Sequence, residues 1–197
     1  DGSSFTEVCR GMDAVIHTAT MDERKIRSDG KAALEINAFG TRQLYLDAVE
    51  CGVRKFIYLS TFHVYGYSSG VIDESTVPMP KSDYGLTHYF AEQYLMQLSK
   101  GTACKVDVVR LTNGVGVPFG NTDKWYLAVN DFCRSAFESR EIVLQSSGSQ
   151  LRDFVAIHDL AEAVRILAEE INGKGAFEIY NVSSQQSISI KDVAEQV

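Results

Sequence analysis

Residues 56–61 read Phe56-Ile57-Tyr58-Leu59-Ser60-Thr61, an apolar run that ends in two hydroxyl side chains. A short run of this kind is typical of a strand buried in a parallel sheet. Open α/β sheets bind ligands at the carboxyl ends of their strands, so we expect Thr61 to lie at a binding site. Farther along, Tyr84-Gly85-Leu86-Thr87-His88 opens a segment with helical spacing. His88 follows Tyr84 by one helical turn, which predicts that both side chains share a face.

Apolar runs alternate with amphipathic segments along the chain, and this alternation predicts a parallel α/β sheet. Strands are predicted at 13–18, 55–60, 105–111 and 177–182. Helices are predicted at 31–50, 84–100, 123–137 and 157–170, with Ser189 capping a last one. The segment 114–120 is predicted to be a loop, because Pro118 and Gly120 disfavour a helix there.

Length and composition exclude several classes of function. The 197 residues suffice for a domain with a real core. A net charge of −7 argues against nonspecific binding to nucleic acid or anionic membranes. No apolar run approaches the ~20 residues of a membrane span, and no secretory signal is visible. The four cysteines lack metal-ligand spacing, so we expect a reduced, cytoplasmic protein without a metal site.

A dinucleotide-binding fold normally opens with a strand and a Gly-rich loop. The chain has no such loop, since Gly11, Gly40, Gly52 and Gly66 are isolated. The sequence is therefore expected to be a fragment from which the first strands and this loop are missing.

Six motifs in order indicate a family. They are Asp13 to Ala19, Asn37 to Thr41, Thr61 followed by Tyr84 and His88, Arg110 to Asn113, Gly148 to Phe154, and His158 to Ala161. Together they resemble the extended short-chain dehydrogenase/reductase family, the nucleotide-sugar epimerases and their relatives. The resemblance implies a Rossmann-type, doubly wound parallel sheet with a small substrate-binding part toward the C-terminus. Residues 1–111 would form a partial dinucleotide-binding domain, and residues 112–197 a mixed region with substrate-binding segments and returning Rossmann elements.

The resemblance also implies hydride chemistry on a sugar hydroxyl, with Tyr84, Thr61 and His88 as the catalytic residues. His88 stands where the family has lysine. A phenol has a pKa near 10, so Tyr84 needs nearby positive charge or hydrogen-bond donors to act as a base. We expect these from the nicotinamide and from His88, which titrates near pH 6.5 unless perturbed. Thr61 would hold the sugar hydroxyl.

The implied cofactor is NAD. NADP is not excluded, because the second strand, whose end distinguishes NADP from NAD by its 2′-phosphate, is expected to be missing from this sequence. Its expected contacts are Asp1 at the adenine, Gly2, Thr18, Ala19, Thr20, Asn37, Ser60, Tyr84, His88 and Thr112. The expected substrate contacts are Thr61, Asn113 and Arg152, whose planar fork suits a diphosphate.

The expected activity is that of a nucleotide-sugar epimerase, and the alternative is a catalytically weak nucleotide or nucleotide-sugar binding protein. The family's 4,6-dehydratases carry Asp-Glu where this chain has Phe62-His63, which disfavours dehydration; a net reductase remains open. A homodimer is expected through helices 31–51 and 84–100. The apolar residues expected to supply its interface are Leu44, Tyr45, Ala48, Phe90, Tyr94 and Leu95.

Each candidate residue could instead have a purely structural role. Tyr84 could only pack, and Thr61 could be a plain turn residue. His88 could be a surface or core histidine with no catalytic part. Asn37 is as well suited to bracing backbone as to touching a cofactor. Arg152 could pair with Asp153 or Asp159. His17 is expected to hydrogen-bond backbone at a strand end, and Ser60 lacks the Gly-x-Ser-x-Gly setting of a hydrolase nucleophile.

Overall fold

A computed structural model describes residues 4–66, 70–118, 124–170 and 175–197. The chain divides into two compact units. The first contains Asp1–Leu111 and Ala163–Asn181, and the second contains Thr112–Glu162 and Val182–Val197.

A four-stranded sheet forms the centre of the first unit. Its strands are β1 (Ala14–His17), β2 (Lys55–Thr61), β3 (Lys105–Leu111) and β6 (Phe177–Val182), in the order β1-β2-β3-β6. β1, β2 and β3 are parallel, with Tyr58 opposite both His17 and Val108. Six of the seven residues of β2 are buried, which explains its continuous apolar run. The strands predicted from the sequence are confirmed to within a residue or two.

Several helices accompany these strands along the chain. They are α1 (Thr6–Cys9), α2 (Glu23–Ile26), α3 (Gly30–Ala33), α4 (Thr41–Glu50) and α5 (Asp83–Leu98), with α7 (Ile157–Glu169) farther along the chain. A π-helical segment, Leu34–Gly40, joins α3 to α4, so the helix predicted over 31–50 is continuous. Ser82 caps α5 by accepting from the Gly85 amide at 3.2 Å. Gly52 ends α4 with a φ of +76°, which favours glycine.

The core of the first unit lies between the sheet and helices α4 and α5. Tyr45 packs edge-on against Phe56 with ring centroids 5.3 Å apart. Tyr45, Ala48 and Leu95 are completely buried here. Their assignment to an exposed dimer face is therefore wrong, because their surface is already used in the core. Phe90, by contrast, is 41% exposed.

The second unit contains a three-stranded sheet. It contains β4 (Asn113–Val115), β5 (Leu151–Ala156) and β7 (Ser187–Ser189), with β4 parallel and β7 antiparallel to β5. The expectation of a loop over 114–120 is wrong for its first residues, because the backbone of β4 pairs with β5. Ser189 caps α8 (Ile190–Gln196) as predicted, accepting from the Asp192 amide at 3.0 Å.

One helix of the second unit begins later than expected. A short 3-10 turn, Lys124–Tyr126, precedes α6 (Ala128–Ser139), whereas the sequence predicted a helix over 123–137. Residue 123 lies outside the described residues.

The described residues contain neither a membrane-spanning helix nor a metal-binding cluster. No helix among them is long and apolar enough to cross a membrane. The same residues contain no group of three or more His, Cys, Asp or Glu side chains that could hold a metal ion.

Candidate active site

Thr61 lies where β2 ends, and Tyr84 lies where α5 begins. Thr61 is the last residue of β2, and its Oγ1 accepts from the His63 amide at 3.2 Å, which caps a 3-10 turn over Phe62–Val64. Tyr84 is the second residue of α5 and is half-buried. The sequence prediction that both hydroxyls reach one substrate oxygen stays a prediction.

Gly85 brings these two elements into backbone contact. A Cβ added to Gly85 would lie 2.5 Å from the carbonyl oxygen of His63, closer than real side chains approach. Any other residue would therefore push the turn after Thr61 away from the start of α5. The close approach places the His63 ring edge-on to the Tyr84 ring, with centroids 5.6 Å apart.

His88 lies on the other side of Tyr84 and is deeply buried. Its ring is edge-on to that of Tyr84, with centroids 4.6 Å apart, and it is 1% exposed. Its Nδ1 lies 2.8 Å from the Tyr58 hydroxyl, and its Nε2 lies 3.2 Å from Thr20 Oγ1. Both ring nitrogens are thus engaged by hydroxyl groups.

This environment keeps His88 uncharged. Burial, followed by the nearby imidazoles of His17 and His63, lowers the pKa of His88 to about 3. The expectation that His88 supplies positive charge to Tyr84 near neutral pH is therefore wrong. At that pH His88 offers Tyr84 only a neutral ring.

The loop after β1 carries three predicted cofactor contacts. Thr18, Ala19 and Thr20 follow the carboxyl end of β1 and are exposed. Asn37 supports this loop from the π-helical segment: its Oδ1 accepts from the Met21 amide at 2.7 Å.

Asn37 also donates from Nδ2 to Thr87 Oγ1 at 3.1 Å and is 1% exposed. The loop after β1 and helix α5 are therefore tied together through one buried amide. This geometry favours the interpretation that Asn37 braces the backbone.

His17, at the end of β1, departs from its expected partner. Its Nε2 lies 2.8 Å from the side-chain hydroxyl of Thr41 rather than from a backbone group. The ring stacks on Tyr58 with centroids 5.5 Å apart. Burial lowers the pKa of His17 to about 4, so this second imidazole is also neutral at neutral pH.

The predicted residues of the second unit gather around Asp153. Thr112 Oγ1 donates to Asp153 Oδ1 at 2.6 Å, and Asn113 Nδ2 donates to the Asp153 carbonyl at 2.8 Å. Burial alone would raise the pKa of Asp153, but donors from Thr112, Ser184 and Gln186 lower it overall. These contacts fix the junction of β4, β5 and β7.

Arg152, next to Asp153 on β5, is exposed. Its NH1 donates to the Leu151 carbonyl at 2.8 Å. The remaining predicted site residues, Asp1 and Gly2, lie outside the described residues.

A model of the NAD dependent epimerase/dehydratase family matches residues 1–183. The chain belongs to this family. The family resemblance drawn from the ordered motifs is thereby confirmed.

Two curated relatives of this epimerase/dehydratase chain have different activities. It is 30% identical over 164 residues to the dTDP-D-glucose 4,6-dehydratase of Mus musculus, covering 82% of this chain and 44% of the relative. It is 35% identical over 122 residues to the dTDP-L-rhamnose 4-epimerase of Burkholderia thailandensis, covering 61% and 33% respectively. The matched segments thus cover less than half the length of these two relatives, and the chain is about half as long as either.

A solved structure supports the fold. MoeE5 in complex with UDP-glucuronic acid and NAD superposes with a TM-score of 0.87 at 23% identity, covering 100% of this chain and 66% of that one. At this identity the match concerns the fold alone. The α/β, Rossmann-type fold expected from the sequence is confirmed.

Three polar residues of this epimerase/dehydratase chain were missed by sequence reasoning. Tyr58 lies under His88, and a buried ion pair joins Glu92 to Arg110. Arg110 donates from Nε to Glu92 Oε1 at 3.1 Å and from NH2 to Oε2 at 2.6 Å. Ser60 donates to the same carboxylate at 2.5 Å, so this predicted cofactor contact is engaged beneath the site.

A signal for Glu92 was present in the sequence. Tyr84, His88 and Glu92 recur every four residues, which places all three on one face of α5. A carboxylate on a buried helix face requires a partner, which here is Arg110.

Proposed function

We propose that this protein is an NAD-dependent enzyme acting on a nucleotide sugar, specifically a nucleotide-sugar epimerase. The observation that carries the proposal is the backbone contact between Gly85 and His63. It fixes the phenol of Tyr84 beside the turn that follows Thr61. A base and an orienting hydroxyl held by two rigid elements are what proton abstraction from a sugar hydroxyl requires.

The residues present fit the sugar-proximal end of a dinucleotide. Thr18, Ala19 and Thr20 offer exposed hydroxyl and backbone groups at the carboxyl end of a buried parallel strand. Hydroxyl and amide donors of this kind suit ribose oxygens. When bound, NAD would supply reversible hydride acceptance at the carbinol carbon of the sugar.

Within this scheme the chain's own residues handle the proton. Thr61 hydrogen-bonds the reacting sugar hydroxyl and orients it. Tyr84 removes that hydroxyl's proton as the ketone forms and returns it when the hydride comes back. Arg152, with an exposed guanidinium, and Asn113 are proposed to contact the substrate's diphosphate side.

Epimerisation is favoured over dehydration by the residues after Thr61. Loss of water from a sugar needs a second acid and base beside the reacting carbons. Phe62 and His63 occupy the turn there, so neither position supplies a carboxylate. The relatives include both reaction types, and the choice between them rests on this pair.

The test measures nicotinamide reduction with nucleotide sugars. NAD is added to the full-length protein, followed by UDP- or dTDP-hexoses, and absorbance at 340 nm is recorded while NMR identifies the product sugar. An epimer without net NADH supports the proposal, and a 4-keto-6-deoxy sugar would identify a dehydratase instead. Tyr84→Phe should abolish turnover, whereas Tyr89→Phe removes a half-buried phenol from the same helix and should not.

A second candidate, a catalytically weak nucleotide-sugar binding protein, is favoured by one observation. His88 is neutral where the resemblance expects a lysine, so the protein gives Tyr84 no positive charge from that position. For this candidate, calorimetry would detect binding of the nucleotide sugar, and neither NADH nor a new sugar would form.

A further inference from the structure

The hydrogen bonds around His88 determine which of its nitrogens carries the proton. Thr20 donates its single hydroxyl proton to the Met21 carbonyl at 3.3 Å. With the hydroxyl proton on this carbonyl, the Thr20 oxygen accepts from His88 at 3.2 Å, and Nε2 then bears the hydrogen. A neutral imidazole has one proton, which leaves Nδ1 as an acceptor for the Tyr58 hydroxyl at 2.8 Å.

Tyr58 is well placed to enforce this arrangement. Its ring is 1% exposed and lies within the core cluster, held by neighbours on the sheet and on α5. Burial, together with the charge of Glu92, raises the pKa of its phenol well above 10. The hydroxyl therefore stays protonated, and His88 Nδ1 lies 2.8 Å away as an acceptor for it.

His88 in turn contacts both sides of the candidate site. Its ring packs edge-on against Tyr84, and its Nε2 holds the Thr20 side chain in the loop after β1. Rotation or tautomer exchange of the His88 ring would therefore disturb two contacts at once. One is its packing against Tyr84, the proposed base, and the other is its hydrogen bond to Thr20 in the proposed cofactor loop.

We propose that Tyr58 is a positioning residue: its buried hydroxyl locks His88 in the Nε2–H tautomer and thereby fixes the ring of Tyr84 and the Thr20 loop. The effect of Tyr58 on turnover rests on the proposed function, whereas its effect on the tautomer of His88 is independent of that function. The site thus carries a fixed neutral donor, rather than a cation, beneath Tyr84.

The test compares Tyr58→Phe with Tyr45→Phe. Tyr45 is an equally buried tyrosine whose hydroxyl bonds Thr102 Oγ1 and the Cys104 carbonyl, both at 2.9 Å, so this variant loses a comparable buried hydroxyl. Long-range ¹H–¹⁵N NMR reports the tautomer of each histidine, and His88→Gln assigns the signal. We expect Nε2–H at His88 in the wild type and in Tyr45→Phe, and mixed tautomers in Tyr58→Phe.

If Tyr58→Phe does not fold, Thr20→Val provides a second measurement at an exposed position. Its His88 should keep the Nε2–H tautomer, because the Tyr58 hydroxyl still donates to Nδ1 when the Thr20 hydroxyl is removed. A wild-type Nδ1–H tautomer, an unchanged tautomer in Tyr58→Phe, or a switch in Thr20→Val would each overturn the proposal.

Turnover gives an independent readout. Tyr58→Phe should lower kcat about tenfold, or ~1.4 kcal/mol of barrier, with an unchanged KM for the sugar, whereas Tyr45→Phe should not. A protein with no epimerase activity but with the expected tautomers would refute the proposed function and leave the role of Tyr58 intact. Full activity in Tyr58→Phe with mixed tautomers would refute the positioning role alone.

Discussion

Two buried neutral histidines should make the stability of this protein fall steeply as the pH is lowered. The pKa of His88 is lowered to about 3 and that of His17 to about 4, in both cases mainly by burial. In the unfolded chain both would titrate near 6.5. Between these values the unfolded state binds more protons than the folded state, so the free energy of unfolding rises with pH. The stabilisation is fully present above pH 6.5 and is lost as the pH falls.

The size of the effect follows from the shifts. Each histidine contributes about 1.4 kcal/mol per pH unit between its folded and unfolded pKa values. Between pH 6.5 and pH 4.5 the two histidines together should lower the free energy of unfolding by about 5 kcal/mol. Domains of this size are stable by only about 5–15 kcal/mol, so acidification to this range should bring the protein close to unfolding.

The assay is urea unfolding at half-unit steps from pH 7.5 to 4.5. His88→Gln and His17→Gln remove one titrating group each, and each should reduce the slope against pH by about 1.4 kcal/mol per unit, whatever the variant's absolute stability. His158→Gln is the matched control, because it replaces a histidine whose side chain is 89% exposed.

A wild-type slope that stays flat between pH 6.5 and 5, or an unchanged slope in His88→Gln, would contradict this prediction. Either result would mean that His88 becomes protonated in the folded protein as easily as in the unfolded chain. A cation would then be available beside Tyr84 after all.

Three further predictions concern single substitutions. His88→Lys should lower the pKa of Tyr84, because an ammonium, whose ordinary pKa is about 10.4, would replace the neutral ring that packs against Tyr84; NMR of ¹³C-labelled tyrosine measures this, and an unchanged or raised value would contradict it. Glu92→Gln should destabilise the protein by about 3–5 kcal/mol in urea unfolding, because it leaves the buried Arg110 without its countercharge; a loss below ~1 kcal/mol would show that the pair is dispensable. Phe90→Asp should convert the proposed homodimer to a monomer by light scattering, since Phe90 is exposed on α5, and a wild-type monomer at micromolar concentration would remove the proposal itself.

The local elements of this fold could be derived from the sequence because they depend on neighbouring residues. The apolar run of β2 needs two covered faces, and Ser82 and Ser189 cap helices through bonds that span only three residues. The short strand Asn113–Val115 could not be derived in this way. Its pairing partner, β5, lies about forty residues away, and only that pairing makes it a strand.

The same division applies to the candidate site. The chain by itself determined that Thr61 ends a buried strand, that Tyr84 begins a helix and that His88 shares its face. Only the tertiary structure decided the charge state of His88. That state depends on burial and on the imidazoles of His17 and His63, which are 71 and 25 positions away along the chain. A pKa is set by desolvation and by groups brought close through folding, and spacing along the chain does not encode either.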